Sequence, residues 1–408
     1  FPKDFKLPKS RADAMKQLGN SVAVDAVREC ARELVLHLEI LDKRRSNNQM
    51  VSTKNKGEWT ELYSFLKTIH DQKVLLADKD LSTISVNDFM SVSKVTTLNI
   101  RESVLIVDEN EMEVRDEKDY LKKRLRIKDH INAELLTTMR DKIIAGSGTF
   151  NIDQFSVLED SLGISIIRGG NSNQKADIVL DVDHNGEQFT NQGFGIKSYL
   201  GSKPTLLNAS GSNTNFVFEV ENISEDISKK INSISTTTKL KDRLTTIFSS
   251  GGRLVFKKVE ADTMEYNLRL IDSGMPALIS DMLIEYYRNR SSNLIENLTK
   301  IYKKNDHSNA DDQAASEIKL KRLLVSVLLG FFSGKKWDGK YVSNGTIVVK
   351  NDGDQVAFHI VRLSDLEDYL FNNMKFDTPS TTRHRFGTVY TERDGKFYFK
   401  LNIQLRFL

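Results

Sequence analysis

Apolar residues recur along this chain with two periods, and the switches between them mark its elements. Near the start, Val24, Val27, Ala31, Leu34, Val35 and Leu38 return every three or four positions behind the start signal Gly19-Asn20-Ser21. Residues 1–41 therefore read as a loop followed by a helix with one apolar face. Residues 42–56 are polar and without period, the composition of a linker. Helical spacing resumes at Gly57. There Trp59, Leu62, Phe65, Leu66 and Ile69 share a face, with Glu58 and Glu61 beside it, one turn apart.

Residues 70–150 read as mixed structure: a β-rich run at 104–107, then a charged helix over about 117–145. Leu121, Leu125, Ile131, Leu135, Leu136 and Met139 supply its apolar positions. The run 176–182 is β-branched and breaks at Asp183-His184-Asn185-Gly186, a strong turn signal, before a second extended segment that carries Lys197. Residues 222–249 are rich in Ser, Thr and Lys. Strands are then expected at 253–259 and 266–271, helices at 276–291 and 317–332, and a polar loop between those helices at 306–315. The end alternates as strands at 346–350, 356–361, 387–391 and 397–407. No internal repeat is present. The pattern is that of an α/β (α+β) protein.

Composition narrows the class without deciding the function. A length of 408 residues suffices for two or three domains, and 39% hydrophobic with 28% charged residues is usual for soluble globular chains. No apolar run approaches a membrane span, and no signal-peptide pattern opens the sequence. The single cysteine, Cys30, excludes an intrachain disulfide and a thiolate zinc cluster, and it fits a reducing, bacterial-type cytoplasm. A net charge of +3 does not by itself call for nucleic acid, because a basic cleft can hide in a balanced total.

Asp177 opens one expected strand and Lys197 lies on the next. Metal-dependent nucleases place a carboxylate and an ammonium beside one phosphate in this way. The acid is a hard oxygen ligand for a divalent cation, and the lysine orients or helps deprotonate the attacking water. The same spacing occurs in ordinary solvated hairpins, and these residues alone leave both readings open. Early glutamates also favour a helix N-terminus through its dipole, so Glu58 and Glu61 have a structural reading beside a metal-facing one. The basic run from Lys122 to Arg126 reads as a solvated helix face rather than a phosphate contact.

Several stretches together resemble the HpaII-type restriction endonuclease family. They are Lys-Gly-Glu-Trp-Thr-Glu-Leu-Tyr-Ser-Phe-Leu-Lys from Lys56, Lys-Ala-Asp-Ile-Val-Leu from Lys175, and Phe-Gly-Ile-Lys-Ser-Tyr-Leu-Gly-Ser-Lys-Pro-Thr-Leu-Leu-Asn-Ala-Ser from Phe194. Near the end come Thr-Pro-Ser-Thr-Thr-Arg-His from Thr378 and Leu-Asn-Ile-Gln-Leu-Arg-Phe from Leu401. The resemblance runs in order from about Lys56 to Leu408. It implies a PD-(D/E)XK-like core, a mixed central sheet flanked by helices, that cuts duplex DNA with Mg²⁺ and leaves 5′-phosphates. Asp177, Lys197 and Glu61 would be catalytic, with Asp177, Glu61 and the Ile196 carbonyl holding the metal. The nuclease pattern asks for an acid two residues before the lysine, where this chain has Gly195. In an extended segment Gly195 and Lys197 share a side, so one ligand is missing. Glu61 is the first choice to replace it, Glu58 the second and Asp181 the third.

DNA binding asks for phosphate contacts and base readers. With the resemblance, Lys203, Asn208, Ser210, Asn213 and Asn215 become candidates for tracking the backbone. Arg383 and Arg385, in a loop after Pro379, have the forked guanidinium that suits a guanine edge. Lys335 and Lys336, beside Trp337, form a second basic and aromatic candidate loop. His384 is not expected to be a catalytic base, since Lys197 fills that role, and reads as a surface or DNA-contact residue.

Phe1-Pro2 and Gly19-Asn20-Ser21-Val22 resemble the last motif of cytosine-5 DNA methyltransferases, whose other parts (the Pro-Cys loop, Glu-Asn-Val, a Gly-rich cofactor loop) are not in this chain. The expected organisation is a methyltransferase-like tail at 1–41, a linker at 42–56, a nuclease core at 57–250 and a DNA-recognition region at 251–408. The expected function is a type II restriction endonuclease acting as a homodimer on a palindromic, CCGG-like site in double-stranded DNA and fused to the end of its cognate methyltransferase. The alternative is a DNA-binding accessory subunit of a split methyltransferase, without nuclease activity.

Overall fold

The structure, a computed structural model, describes residues 6, 10–16, 53–85, 87–167, 175–304 and 310–408. The chain divides into two compact units, Phe1–Thr53 and Lys54–Leu408. In the first, residues 11–16 are helical rather than loop, starting where Ala14 donates to the Ser10 carbonyl at 2.9 Å. The expected helix from Gly19 and its apolar face at 24–38 lie outside the described residues. Among the described residues no helix is long and apolar enough to cross a membrane.

The second unit opens with Lys54–Asn55, a short strand paired with Thr149–Phe150, and runs directly into helix α1 (Lys56–Asp71). The helix starts where it does because Asn55 caps it. The Asn55 side chain accepts from the Glu58 N–H at 3.1 Å, while the Glu58 carboxylate accepts from the Asn55 N–H at 2.9 Å. Trp59, Leu62, Phe65, Leu66 and Ile69 are buried, as their spacing predicts. Lys54–Lys56 thus belong to the fold, and not to a linker.

The strands that follow are β1 (Lys73–Leu76), β2 (Phe89–Thr97), β3 (Ser103–Ile106), β4 (Glu111–Arg115), β5 (Leu121–Arg126), β6 (Ile178–His184) and β7 (Glu187–Ser198), with helix α2 (Ala133–Ala145) between β5 and β6. Next come β8 (Asn215–Glu221), α3 (Glu225–Ser233), α4 (Lys239–Ser249), β9 (Arg253–Val259), α5 (Asp262–Ile271), α6 (Met275–Asn289), α7 (Leu294–Lys304) and α8 (Ala310–Leu329). The last are β10 (Gly345–Val349), β11 (Gln355–His359), α9 (Leu363–Asn373), β12 (Val389–Thr391) and β13 (Phe397–Asn402).

Nine strands form the main sheet in the order β1-β11-β10-β7-β6-β2-β3-β4-β5. β6 and β7 are an antiparallel hairpin turned at Asn185 and Gly186, both at positive φ, as the turn signal predicts. β10 lies parallel to β7, bringing Thr346 beside Gly195. The buried face of α1 packs with Ile178, Leu180, Phe194, Ile347 and Val349 in one core. A second core gathers β8, β13 and the helices α4 to α9. Its four-stranded sheet runs β9-β8-β13-β12. Because β10 and β11 complete the main sheet and β9 pairs with β8, the expected division after residue 250 is not a physical boundary. The fold is mixed α/β, as expected.

Several local expectations change. The charged helix at 117–145 is three elements, a strand, a single helical turn at Ile127–His130 and α2. Its first part is β5, at the sheet edge, where Glu113 lies opposite Arg124 and Met112 opposite Leu125; only α2 is the expected helix. Leu121 and Leu125, four apart, fit one strand face as well as one helix face, and pairing decided between them. Residues 266–271 are helical: Met264 and Leu268 are buried while Tyr266 and Leu270 are exposed, a period of four. The stretch 222–249 carries α3 and α4, and residues 310–315 start α8 instead of forming a loop. Removal of the α1 cap by Asn55→Ala is expected to cost about 1 kcal/mol, read from the urea midpoint.

Candidate active site

The site is built where the β6–β7 hairpin meets α1. Asp177 stands just ahead of β6, held by its N–H on the Phe194 carbonyl at 2.8 Å and by its carbonyl, which accepts from Thr97 Oγ1 at 2.8 Å. Its side chain then turns across the hairpin. Asp177 Oδ2 accepts from the Ile196 N–H at 2.6 Å. In an extended strand the N–H and C=O of one residue leave on the same edge, so the Ile196 carbonyl is directed toward the side that Asp177 occupies. Lys197 follows at once on β7. Glu61 arrives from α1, whose Thr60 hydroxyl meets the Ser198 hydroxyl at 2.9 Å. Asn99, completely buried after β2, donates its amide to Glu61 Oε2 at 2.6 Å.

The charges interact. Burial, then the neighbouring Asp177 charge, raises the pKa of Glu61 to about 7, against the Asn99 hydrogen bond and the charge of Lys54. Burial also raises Asp177, opposed by the Ile196 N–H and by Lys197. Lys197 is lowered, because burial outweighs its attraction to Asp177 and Glu61. Lys175 is lowered to about 8, by burial and by Lys197. Among the described residues no group of three or more His, Cys, Asp or Glu could hold a metal. Two carboxylates and a backbone carbonyl are nevertheless hard oxygen donors, and Mg²⁺ is commonly held by one or two carboxylates with several waters retained. Two buried carboxylates that repel each other also fit a cation between them.

The glycine at 195 has a steric cause. A Cβ there would lie 2.8 Å from the Lys175 carbonyl oxygen and 3.9 Å from Asp177 Oδ2. The backbone ahead of Asp177 passes where an acidic side chain would begin.

A cleft of about 260 Å³ is lined by Lys56, Glu61, Ile196, Lys197, Lys203 and Arg406, so the structure brings four of the expected site residues into one opening. The Lys203 ammonium lies 4.5 Å from the Tyr199 ring centroid, and Arg406 donates to the Lys203 carbonyl at 3.0 Å and to Asp377 at 2.8 Å. Lys335 and Lys336 line a separate cavity of about 610 Å³ whose wall includes Lys175, Ala176 and Val179, the neighbours of Asp177. Arg383 and Arg385 are exposed on either side of His384. His384 is buried, not a surface residue, and its Nδ1 accepts from the Gly211 N–H at 3.0 Å, tying this turn to the one carrying Ser210. Burial and Arg383 lower the His384 pKa, in keeping with a ring nitrogen that accepts.

Asn208 is exposed, and Ser210 accepts from the Asn213 amide at 3.1 Å. Asn215 is 1% exposed and its amide is engaged by Glu260 and the His384 carbonyl, an internal role and not a phosphate contact. Glu58 caps α1, and Asp181 accepts from the Asn191 N–H at 2.7 Å beside the irregularity in the hairpin; of these three candidate acids Glu61 is the one that lines the cleft. Sequence reasoning passed over Asn99, Lys54, Lys175 and Arg406. Lys175 and Arg406 lay within motifs singled out above; Asn99 and Lys54 carried no signal.

Gly195→Ala is expected to cost about 1–3 kcal/mol through overpacking against the Lys175 backbone, read as a drop in the denaturation midpoint. An unchanged midpoint would show that the backbone yields.

Comparison with known proteins follows the same residues. The sequence model described as HpaII restriction endonuclease matches residues 55–407. The type II restriction enzyme HpaII of Haemophilus parainfluenzae is 32% identical over 360 residues, covering 87% of this chain and 98% of that enzyme. No solved structure matches the chain. The match starts at Asn55, the cap of α1, and spans Glu61, Asn99, Asp177, Ile196 and Lys197. The chain belongs to the HpaII restriction endonuclease family and is a type II site-specific deoxyribonuclease.

Proposed function

We propose that this enzyme cuts both strands of a short palindromic, CCGG-like DNA site at the cleft between α1 and the β6–β7 hairpin, using Mg²⁺. The observation that carries the reading is that Glu61 and Lys197, 136 residues apart in sequence (197 − 61), line one opening while the charge of Asp177 acts on both. Asp177, Glu61 and the Ile196 carbonyl would hold the cation in a PD-(D/E)XK-like centre. When bound, the cation supplies charge neutralisation at the phosphate and acidifies water.

Lys197 orients the attacking water. Burial lowers its pKa and so favours the neutral amine, the form able to take the proton of the water. The water oxygen attacks phosphorus in line, the P–O3′ bond breaks, the 3′-oxygen takes a proton from solvent water to leave as a hydroxyl, and the new strand end keeps a 5′-phosphate. Asn99 holds the Glu61 carboxylate in place. Lys203, Asn208 and Ser210 are assigned to the backbone of double-stranded DNA, with Lys335 and Lys336 on a second flank. Arg383 and Arg385 are assigned to base edges. A palindrome read by two copies implies a homodimer on DNA in the bacterial cytoplasm. The family match does not favour the accessory-subunit alternative.

Residues 1–41 are read as the end of the cognate cytosine-5 methyltransferase, outside the family match. Coding sequence upstream of Phe1 holding the Pro-Cys and Glu-Asn-Val motifs in frame would support that fusion; their absence from the operon would overturn it. For the catalytic reading, Asp177→Ala and Lys197→Ala are each expected to lower plasmid cleavage by at least 100-fold, and EDTA to abolish it. Undiminished cutting by either variant would sink the assignment.

A further inference from the structure

Lys175 is not used by the mechanism above, yet its surroundings are unusual for an ammonium. It is half-buried, donates to the Val327 carbonyl at 2.8 Å and lies 4.1 Å from the Phe332 ring centroid. No carboxylate pairs with it among the described residues. A partly buried cation without a counter-ion is unfavourable, and only one of its three donors is engaged by the protein.

The Lys175 side chain faces the 610 Å³ cavity, and the opposite wall is the loop 332–337. That loop is fixed from below. Asn267, wholly buried, donates to the carbonyls of Phe332 at 3.0 Å and Lys335 at 2.9 Å, and accepts from the Trp337 N–H at 2.9 Å. Lys335 and Lys336 are exposed at its rim. The carboxylate on this wall, Asp338, is exposed and 3.9 Å from the Lys340 ammonium. The cavity is therefore cationic, preformed and two residues from Asp177.

We propose that Lys175 is a phosphate-contacting residue of the DNA site, its ammonium taking the backbone phosphate next to the scissile one while Lys335 and Lys336 follow the same strand outward. The proposal rests on the reading of Asp177 and Lys197 as the catalytic centre. The phosphate supplies the negative charge that the protein does not. Such a contact is blind to sequence, because phosphate oxygens are the same at every base pair.

The test is binding of the whole protein to fluorescent duplexes with and without a CCGG site, in EDTA, over a series of KCl concentrations. Lys175→Met is expected to weaken both duplexes alike and to reduce the slope of log K against log [KCl] by about one, with Lys175→Arg restoring it. Lys175→Gln is read in its place if Lys175→Met lowers the unfolding midpoint. An unchanged slope, or a loss confined to the CCGG duplex, would overturn the proposal. A wild-type protein that binds and cuts DNA while Lys175→Met keeps the full slope refutes this assignment alone. A wild type that neither binds nor cuts refutes the catalytic reading beneath it.

Discussion

The short hydrogen bond from the Ile196 N–H to Asp177 Oδ2 is the contact on which this architecture turns. At this point β6 parts from β7, and a side chain takes the amide proton that a ladder carbonyl would otherwise accept. The same bond fixes the rotamer of the acid, sets it beside Lys197, and leaves the neighbouring carbonyl aimed at the same space. A structural need, satisfying a buried N–H, thereby becomes the positioning device of the site.

The missing acid follows from that arrangement. For Asp177 to reach across to Ile196, the chain ahead of it must approach β7 closely, and the Lys175 carbonyl comes within contact of position 195. Only a residue without a Cβ fits there. In the proposed centre the second carboxylate comes from a different element, and α1 is held over the hairpin by the Thr60–Ser198 contact and by a buried face of five large side chains. Glu61 is supported in turn by Asn99, fully buried and with no hydrogen-bond partner for its own carbonyl oxygen among the described residues.

Much of this was legible before any coordinates. The spacing of Trp59, Leu62, Phe65, Leu66 and Ile69 placed α1, and Asp183-His184-Asn185-Gly186 placed the hairpin, because both are local signals. Residues 253–259 were read as a strand for the same reason. What could not be read was decided at a distance. Lys122 to Arg126 became a strand because β4 offered a partner; Asn215 and His384 looked like surface polar residues until β13 and the turn at 211–214 covered them. Asn99 and Lys54 acquire meaning only when the chain between them and Glu61 has folded. Local pattern singled out the two acids and the lysine, and tertiary structure supplied the surroundings of Glu61 that no local pattern carries.

β1 pairs with both β11 and β2, so six strands of the main sheet close on themselves. The remaining open margin is β5, and it carries Lys122, Lys123, Arg124 and Arg126. Charged edges of this kind resist the addition of a further strand. The main sheet thus ends on a strand that carries four cations, and its growth by a strand from another chain is opposed.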